Sequence, residues 1–364
     1  MPKFETVTEG KAKLYVSKGK ISKELPVFYN PAKKLDRDLS VLFLRAVKKK
    51  TVLDLLAASG ARGIRLAKEA GAKVTYNDVS AEAVKILKKN LKLNKLKSPV
   101  FNMTANNFLG QCSDKFDFVD IDPFGSPILF VFNSIRRLDK DGYLAVTATD
   151  TAPLYGVYKW TCFRKYGSFP IKTNFSHEIG LRILAKAVIE LAAKWNISLI
   201  PVFAHADHYY YRIYFHHKRS HVEELGKQIG FINYCQKCGN RFASGFDYPQ
   251  KCSCGEKLQH AGPLYLGKLW EPKIVAEMLS QQEKLRWDKR YNRLLRTLLK
   301  ESQVSAPYFF EPADFFTVEP KSYEIFETLE KAGIKAVPTH FSPKGFKTDA
   351  SFEHLKSAFK TLSK

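Results

Sequence analysis

At 364 residues and 45% hydrophobic, the chain is long enough for more than one core and too apolar to be disordered. Its 59 Lys and Arg against 36 Asp and Glu give a formal charge of +23, which points to a polyanionic partner held through its phosphates. No basic stretch followed by an apolar run opens the chain, and the longest apolar stretches, such as Ile128 to Phe132, are too short to span a bilayer; a cytoplasmic protein with no membrane contact is expected.

Residues 1–50 are the densest basic block, with 13 basic side chains against five acidic ones. Residues 51–57 form a short apolar strand ending in Ala58-Ser-Gly-Ala-Arg-Gly63, followed by a helix from Ile64 to Ala70. Lys73 to Asp78 is a second strand with an acid at its end; Ser80 then caps a Lys-rich helix that runs to about Leu93. Phe116 to Asp122 is a third strand, closed by Pro123-Phe-Gly-Ser-Pro127. Helical spacing returns through Ile135, and Gly142 to Ala148 is another strand. Strands alternating with helices predict a parallel sheet.

After a stretch rich in Tyr and Trp (Tyr155 to Tyr166), Glu178 to Trp195 reads as an amphipathic helix. Ile197 to Ala204 and Tyr209 to Phe215 are strands joined only by His205-Ala-Asp-His208, a gap too short for a parallel crossover, so they pair antiparallel. A parallel sheet finished by an antiparallel hairpin suits the methyltransferase version of the doubly wound fold better than the dehydrogenase version. The predicted fold class is therefore α/β, a Rossmann-like methyltransferase sheet with a small ribbon insert and a smaller α+β C-terminal domain. The segments are 1–50 completing the methyltransferase domain, 51–230 its core, 231–268 the insert and 269–364 the C-terminal domain. The last of these begins with one helix from Lys273 to Leu299, basic on one side through Arg286, Lys289, Arg290, Arg293 and Arg296.

Four of the six cysteines fall within twenty residues: Cys235, Cys238, Cys252 and Cys254. Clustering of this kind suits metal ligands in a reducing compartment rather than a disulfide scaffold. Cys-x2-Cys and Cys-x-Cys, with Gly239 and Gly255 behind them, have the layout of a zinc ribbon. Four thiolates and no histidine suggest a closed, structural Zn2+ site.

The turn Gly60-x-x-Gly63 after Asp54 lacks the first glycine of the dinucleotide fingerprint, where Ala58 stands. S-adenosylmethionine carries no phosphate and can use such a looser turn. Asp78, at the next strand end, can accept from both ribose hydroxyls, with Thr104-Ala105-Asn106 near the adenine. Asp122-Pro123-Phe124-Gly125 suits methylation of an exocyclic amino nitrogen. That nitrogen's lone pair is delocalised into its ring, so a methylase must hold the NH2 with acceptors and withdraw a proton as the N–C bond forms. Asp122 and a strand-end carbonyl provide acceptors, Pro123 fixes the chain, and Phe124 offers a face for an extruded base.

These segments resemble the tRNA guanine-26 N2-dimethyltransferase family. The matching pieces are Glu9-Gly-Lys-Ala-Lys13, Val27-Phe-Tyr-Asn-Pro31, Asp36-Arg-Asp-Leu-Ser40, Asp54 to Arg65, Asn77-Asp-Val79, Asp122-Pro-Phe-Gly-Ser-Pro127, His208-Tyr-Tyr-Tyr-Arg212 and Thr339 to Asp349, in order along nearly the whole chain. The resemblance implies two successive methyl transfers from S-adenosylmethionine to N2 of a guanine in tRNA. It makes Asp122 the catalytic carboxylate and Phe28 and Phe124 the rings that sandwich the base, and it puts Arg37, Arg65, Asp78, Thr104 and Ala105 at the cofactor. Arg37 could pair with the methionine carboxylate. Lys11, Lys13, Lys18, Lys20, Lys33 and Lys34, with Arg290, Arg293 and Arg296, are expected on tRNA phosphates, and a monomer is favoured. Two other readings compete. An adenine-N6 or cytosine-N4 methylase would use an Asp/Asn-Pro-Pro-aromatic turn, from which Phe124 and Gly125 depart. A binding protein on a dead scaffold is opposed by the intact Asp78 and Asp122.

Overall fold

The alternation of apolar strands and helices resolves into one seven-stranded sheet in the computed structural model, which describes residues 4–19, 25–207, 209–218, 222–285, 287–360 and 362. Lys20, His208 and Arg286 lie outside the described residues. An N-terminal hairpin, β1 (Phe4–Glu9) and β2 (Ala12–Ser17), precedes α1 (Lys34–Val47). The sheet is then built from β3 (Thr51–Asp54), α2 (Ala61–Ala70), β4 (Lys73–Asn77), α3 (Ala81–Leu93), β5 (Val100–Phe101), α4 (Ala105–Gln111), β6 (Phe116–Ile121), α5 (Ile128–Ile135) and β7 (Leu138–Ala148). Next come α6 (Thr151–Tyr155), α7 (Lys159–Tyr166), α8 (Ser176–Ala193), β8 (Ser198–Asp207) and β9 (Tyr210–Lys218).

Strand order is β5-β4-β3-β6-β7-β9-β8, with the first five parallel and β9 antiparallel to both its neighbours. Asp54 stands in register with Tyr76 on one side and Asp120 on the other. The strands therefore end level, and the acids just beyond or at their ends share one edge. That edge is where open α/β sheets bind ligands.

Local chemistry fixes the turns at this edge. Gly60 begins α2 at φ +77°, and a Cβ there would fall 2.2 Å from Leu87 Cδ1, so only glycine fits. Ser80 caps α3 by accepting from the Ala83 amide at 3.2 Å. On α3, the Asn90 and Asn94 side chains accept from the amides of Tyr15 and Lys13, clamping the N-terminal hairpin to the sheet domain.

Beyond the sheet come α9 (Val222–Gly226), then β10 (Ile229–Tyr234), β11 (Arg241–Ser244) and β12 (Gln259–Tyr265), a separate sheet carrying the cysteine turns. The helix expected from Lys273 to Leu299 is two, α10 (Pro272–Leu285) and α11 (Lys289–Glu301). Asp288 breaks the run: its side chain accepts from the Arg290 amide at 2.8 Å and starts a new helix. Val275, Met278, Leu295 and Leu298 of these helices belong to the main core, which α10 joins against α1. The remainder, α12 (Ser322–Lys331), β13 (Ala336–Pro338), β14 (Phe346–Thr348) and α13 (Phe352–Phe359), closes on its own aromatic core of Phe310, Phe346, Phe352 and Phe359.

Candidate active site

A cavity of about 570 Å³ opens at the shared strand edge, lined among others by Phe28, Asp54, Asp78, Asp122, Phe124 and Tyr210. Its volume lies in the range of small-molecule sites. Asp78 Oδ2 accepts from the Ala58 amide at 2.7 Å and Oδ1 from the Ser80 amide at 2.9 Å. The carboxylate is thereby fixed with lone pairs still available for a diol. Ala58 itself sits at φ +46°, in the left-handed region that favours glycine. Asp54, accepting from the Gly63 amide at 3.1 Å, is pushed up to about 7 by burial and by the neighbouring Asp120 charge, against the pull of Arg62.

Asp122 stands on a buried lattice of charge. Lys33 Nζ donates to Asp122 Oδ1 at 2.6 Å and Arg62 Nη2 to Oδ2 at 2.5 Å. Arg62 also reaches Asp36 at 2.5 Å, and Arg212 bridges Asp36 at 3.2 Å to Asp120. Burial alone would raise the Asp122 carboxyl, but Lys33 and Arg62 outweigh it and hold it down at about 2. His205, 3.5 Å from Asp36, is kept neutral, lowered to about 3 chiefly by burial.

The expected site residues divide. Arg37, Asp54 and Asp78 line the cavity, whereas Gly60, Arg65, Thr104 and Ala105 do not. The Arg37 guanidinium is already engaged by Glu9 at 2.7 Å and by the Asn30 carbonyl at 3.0 Å. Arg65 is fully buried among Glu9, Asp38 and Glu69, where it ties the hairpin to α1 and α2. Thr104 caps α4 through the Asn107 amide at 3.3 Å. Phe28 and Phe124 both reach the cavity, but their rings meet edge to face at 4.6 Å. A base between parallel rings needs about 7 Å, twice the van der Waals separation, so the slot is closed as the rings stand.

Among the residues expected on phosphates, Lys11, Lys13, Arg290, Arg293 and Arg296 are exposed. Arg290 pairs with Asp288 and Arg296 with Glu283. Lys34 is half exposed and pairs with Asp38 at 2.6 Å. Lys33 is different: its side chain is only 12% exposed and lines the strand-end cavity. Sequence reasoning missed Asp36, Arg62, Asp120 and Arg212 as well. The one available signal was the density of charge in Asp36-Arg-Asp-Leu-Ser40 on a helix that buries them all.

The four cysteine Sγ atoms lie within 4.8 Å of one another, with Cys235 to Cys254 at 3.6 Å and Cys238 to Cys252 at 3.7 Å. Zn–S bonds of about 2.3 Å in a tetrahedron require sulfur separations of about 3.8 Å. The thiol set fits the metal despite its shortened Cys-x-Cys arm.

A family model described as N2,N2-dimethylguanosine tRNA methyltransferase matches residues 6–360. The tRNA (guanine(26)-N(2)/guanine(27)-N(2))-dimethyltransferase of Aquifex aeolicus is 36% identical over 391 residues, covering 99% of this chain and 96% of its own. The tRNA (guanine(26)-N(2))-dimethyltransferase of Methanobrevibacter smithii is 36% identical over 386 residues, covering 99% and 98%. The structure of Trm1 from Pyrococcus horikoshii with S-adenosyl-L-methionine has a TM-score of 0.88 to this one, over 97% of this chain and 99% of its own, at 32% identity. With sheet order, strand-end acids and full-length similarity in agreement, the chain belongs to the N2,N2-dimethylguanosine tRNA methyltransferase family.

Proposed function

We propose that the chain transfers two methyl groups in succession from S-adenosylmethionine to the exocyclic N2 of guanine 26 in tRNA. The observation that carries this reading is the Asp122 carboxylate, ionised by Lys33 and Arg62 and presented to the cavity beside Phe124. Bound S-adenosylmethionine supplies an electrophilic methyl on a sulfonium.

Asp78, held by two backbone amides, suits the ribose hydroxyls, and Asp54 the positive charge of the cofactor. Asp122 keeps a lone pair on each oxygen beyond its contacts with Lys33 and Arg62, and so accepts from the guanine amino N–H. As the N–C bond forms and the C–S bond breaks, the nitrogen becomes cationic and its proton strongly acidic. A carboxylate at about 2 is a sufficient base for it, while a neutral carboxyl would be none. One N–H survives the first transfer and serves the second; none survives the second, which ends the sequence. Phe124, half exposed, would have to swing from Phe28 to stack on the base.

Cys235, Cys238, Cys252 and Cys254 would hold Zn2+ as a structural clip between the β10–β11 hairpin and the turn before β12. No described helix is long and apolar enough to cross a membrane; a cytoplasmic monomer is our reading. The test is methylation of unmodified tRNA transcripts with labelled S-adenosylmethionine, followed by nucleoside digestion and by repetition on transcripts lacking guanine 26. N2-methylated guanosine that disappears with guanine 26 supports the reading; a methylated adenosine or cytidine overturns it. Label that persists at the adjoining guanine would widen the acceptor set, in line with the name of the Aquifex relative.

A further inference from the structure

Between Thr151 and Lys172 the sequence holds four basic side chains, six aromatic ones and no acidic one, and the chemistry above uses none of them. Within this segment α7 buries Cys162 and Tyr166 and turns Lys159, Trp160, Phe163 and Arg164 outward. Trp160 is 74% exposed and Phe163 47%. Phe169 stacks on Phe163 at 4.8 Å and meets the Trp160 ring edge-on at 5.2 Å. The result is a three-ring surface in water, a feature that marks interaction sites on soluble proteins.

The inner side of α7 is tied to the catalytic turn. Lys165 and Tyr166 reach Asp150 at 2.7 and 2.6 Å. Thr149, next to Asp150, accepts from the Gly125 amide at 2.6 Å and donates its own amide to the Gly125 carbonyl at 3.0 Å. The outward rings therefore hold a fixed relation to Phe124.

We propose that this face of α7 is an RNA-docking surface: an unpaired tRNA base stacks on the exposed Trp160 ring and abuts Phe163, which stands at 87° to it, while Lys159 and Arg164 meet the flanking phosphates. The inference rests on the tRNA methyltransferase reading and names a surface that reading does not require. Stacking on aromatic rings with cations at the margin is how single-stranded nucleotides are held without sequence readout. A second copy of the chain is disfavoured as occupant, because it brings a net +23 to a face with no acidic residue of its own segment.

The test compares wild type with W160A/F163A and K159A/R164A, measuring tRNA binding, methyl-transfer kinetics and S-adenosylmethionine affinity. W160A/F163A should weaken tRNA binding and raise KM for tRNA roughly ten- to hundredfold, the range expected from loss of one stacked base. Its salt slope should stay at the parent value. K159A/R164A should instead flatten the slope, by about 0.7 per lost phosphate contact on a single strand. Cofactor affinity should be unchanged in both. If wild type binds and methylates tRNA and W160A/F163A does so equally well, the docking surface is wrong while the enzyme reading stands. If wild type neither binds nor methylates tRNA, both fall. A wild type that sediments as a dimer and a W160A/F163A variant that is monomeric would assign the face to a second copy and overturn the proposal.

Discussion

Lys33 Nζ stands 2.6 Å from Asp122 Oδ1, although the two residues are 89 positions apart. In sequence Lys33 is one more lysine in a basic block; in the fold, the turn before α1 carries it to the end of β6. It counters the cost of burying the Asp122 carboxylate and keeps it ionised, together with Arg62. The K33M variant should therefore raise the Asp122 carboxyl toward the ordinary carboxylate range, moving the acid limb of the kcat profile to higher pH. The salt dependence of tRNA binding should not change. A flattened salt slope with an unmoved acid limb would return Lys33 to the phosphates.

Asp54 is pushed up to about 7, first by burial and then by Asp120. Its protonated form therefore stabilises the unliganded fold fully below about pH 4, and that contribution is lost as pH rises through about 7. A cationic ligand beside it reverses the preference and favours the carboxylate. Binding of S-adenosylmethionine near pH 6 should release a proton, visible as a calorimetric enthalpy that varies with the ionisation enthalpy of the buffer. D54N should abolish that variation. An identical buffer dependence in D54N would place the proton elsewhere.

The sulfur geometry predicts one Zn2+ per chain, measured by elemental analysis of protein purified without added metal. C252S should lose the metal and lower the unfolding temperature while leaving cofactor affinity intact, since the thiols lie apart from the strand-end cavity. Metal-free wild-type protein of unchanged stability would reject the assignment.

The exposed clusters at Lys11 and Lys13 and at Arg290, Arg293 and Arg296 remain the proposed phosphate contacts. Replacing Lys11, Lys13 and Arg293 with Ala should weaken tRNA binding and flatten its salt dependence by about 0.7–0.9 per lost contact. Unchanged slopes would leave these as solvated faces.

What the sequence made legible was local in the chain. Strand-end acids, the Gly60 turn, the Ser80 cap and the cysteine spacing are each set within a few residues, and all were read directly. The antiparallel β8–β9 pair followed from a gap too short for a crossover. What stayed hidden is assembled from distant positions: Asp36, Arg62, Asp120, Asp122 and Arg212 lie up to 176 positions apart (212 − 36) and meet only because α1, α2, β6 and β9 converge. Charged residues are read as exposed by default, whereas Lys33 is only 12% exposed and paired with Asp122. Arg37 and Arg65, expected at the cofactor, are committed to Glu9, whose role no local pattern announces. The break at Asp288 was missed because the apolar spacing of α10 continues almost in phase into α11.

The central claim is that the Asp122 carboxylate takes the amino proton as the N–C bond forms. Its most direct test is single-turnover methyl transfer by D122N, an isosteric change, on unmodified tRNA with S-adenosylmethionine at saturation. The account predicts a loss of at least about a hundredfold in rate, the lower end for removal of a positioned base, with cofactor and tRNA affinities retained. A near wild-type rate in D122N would contradict it.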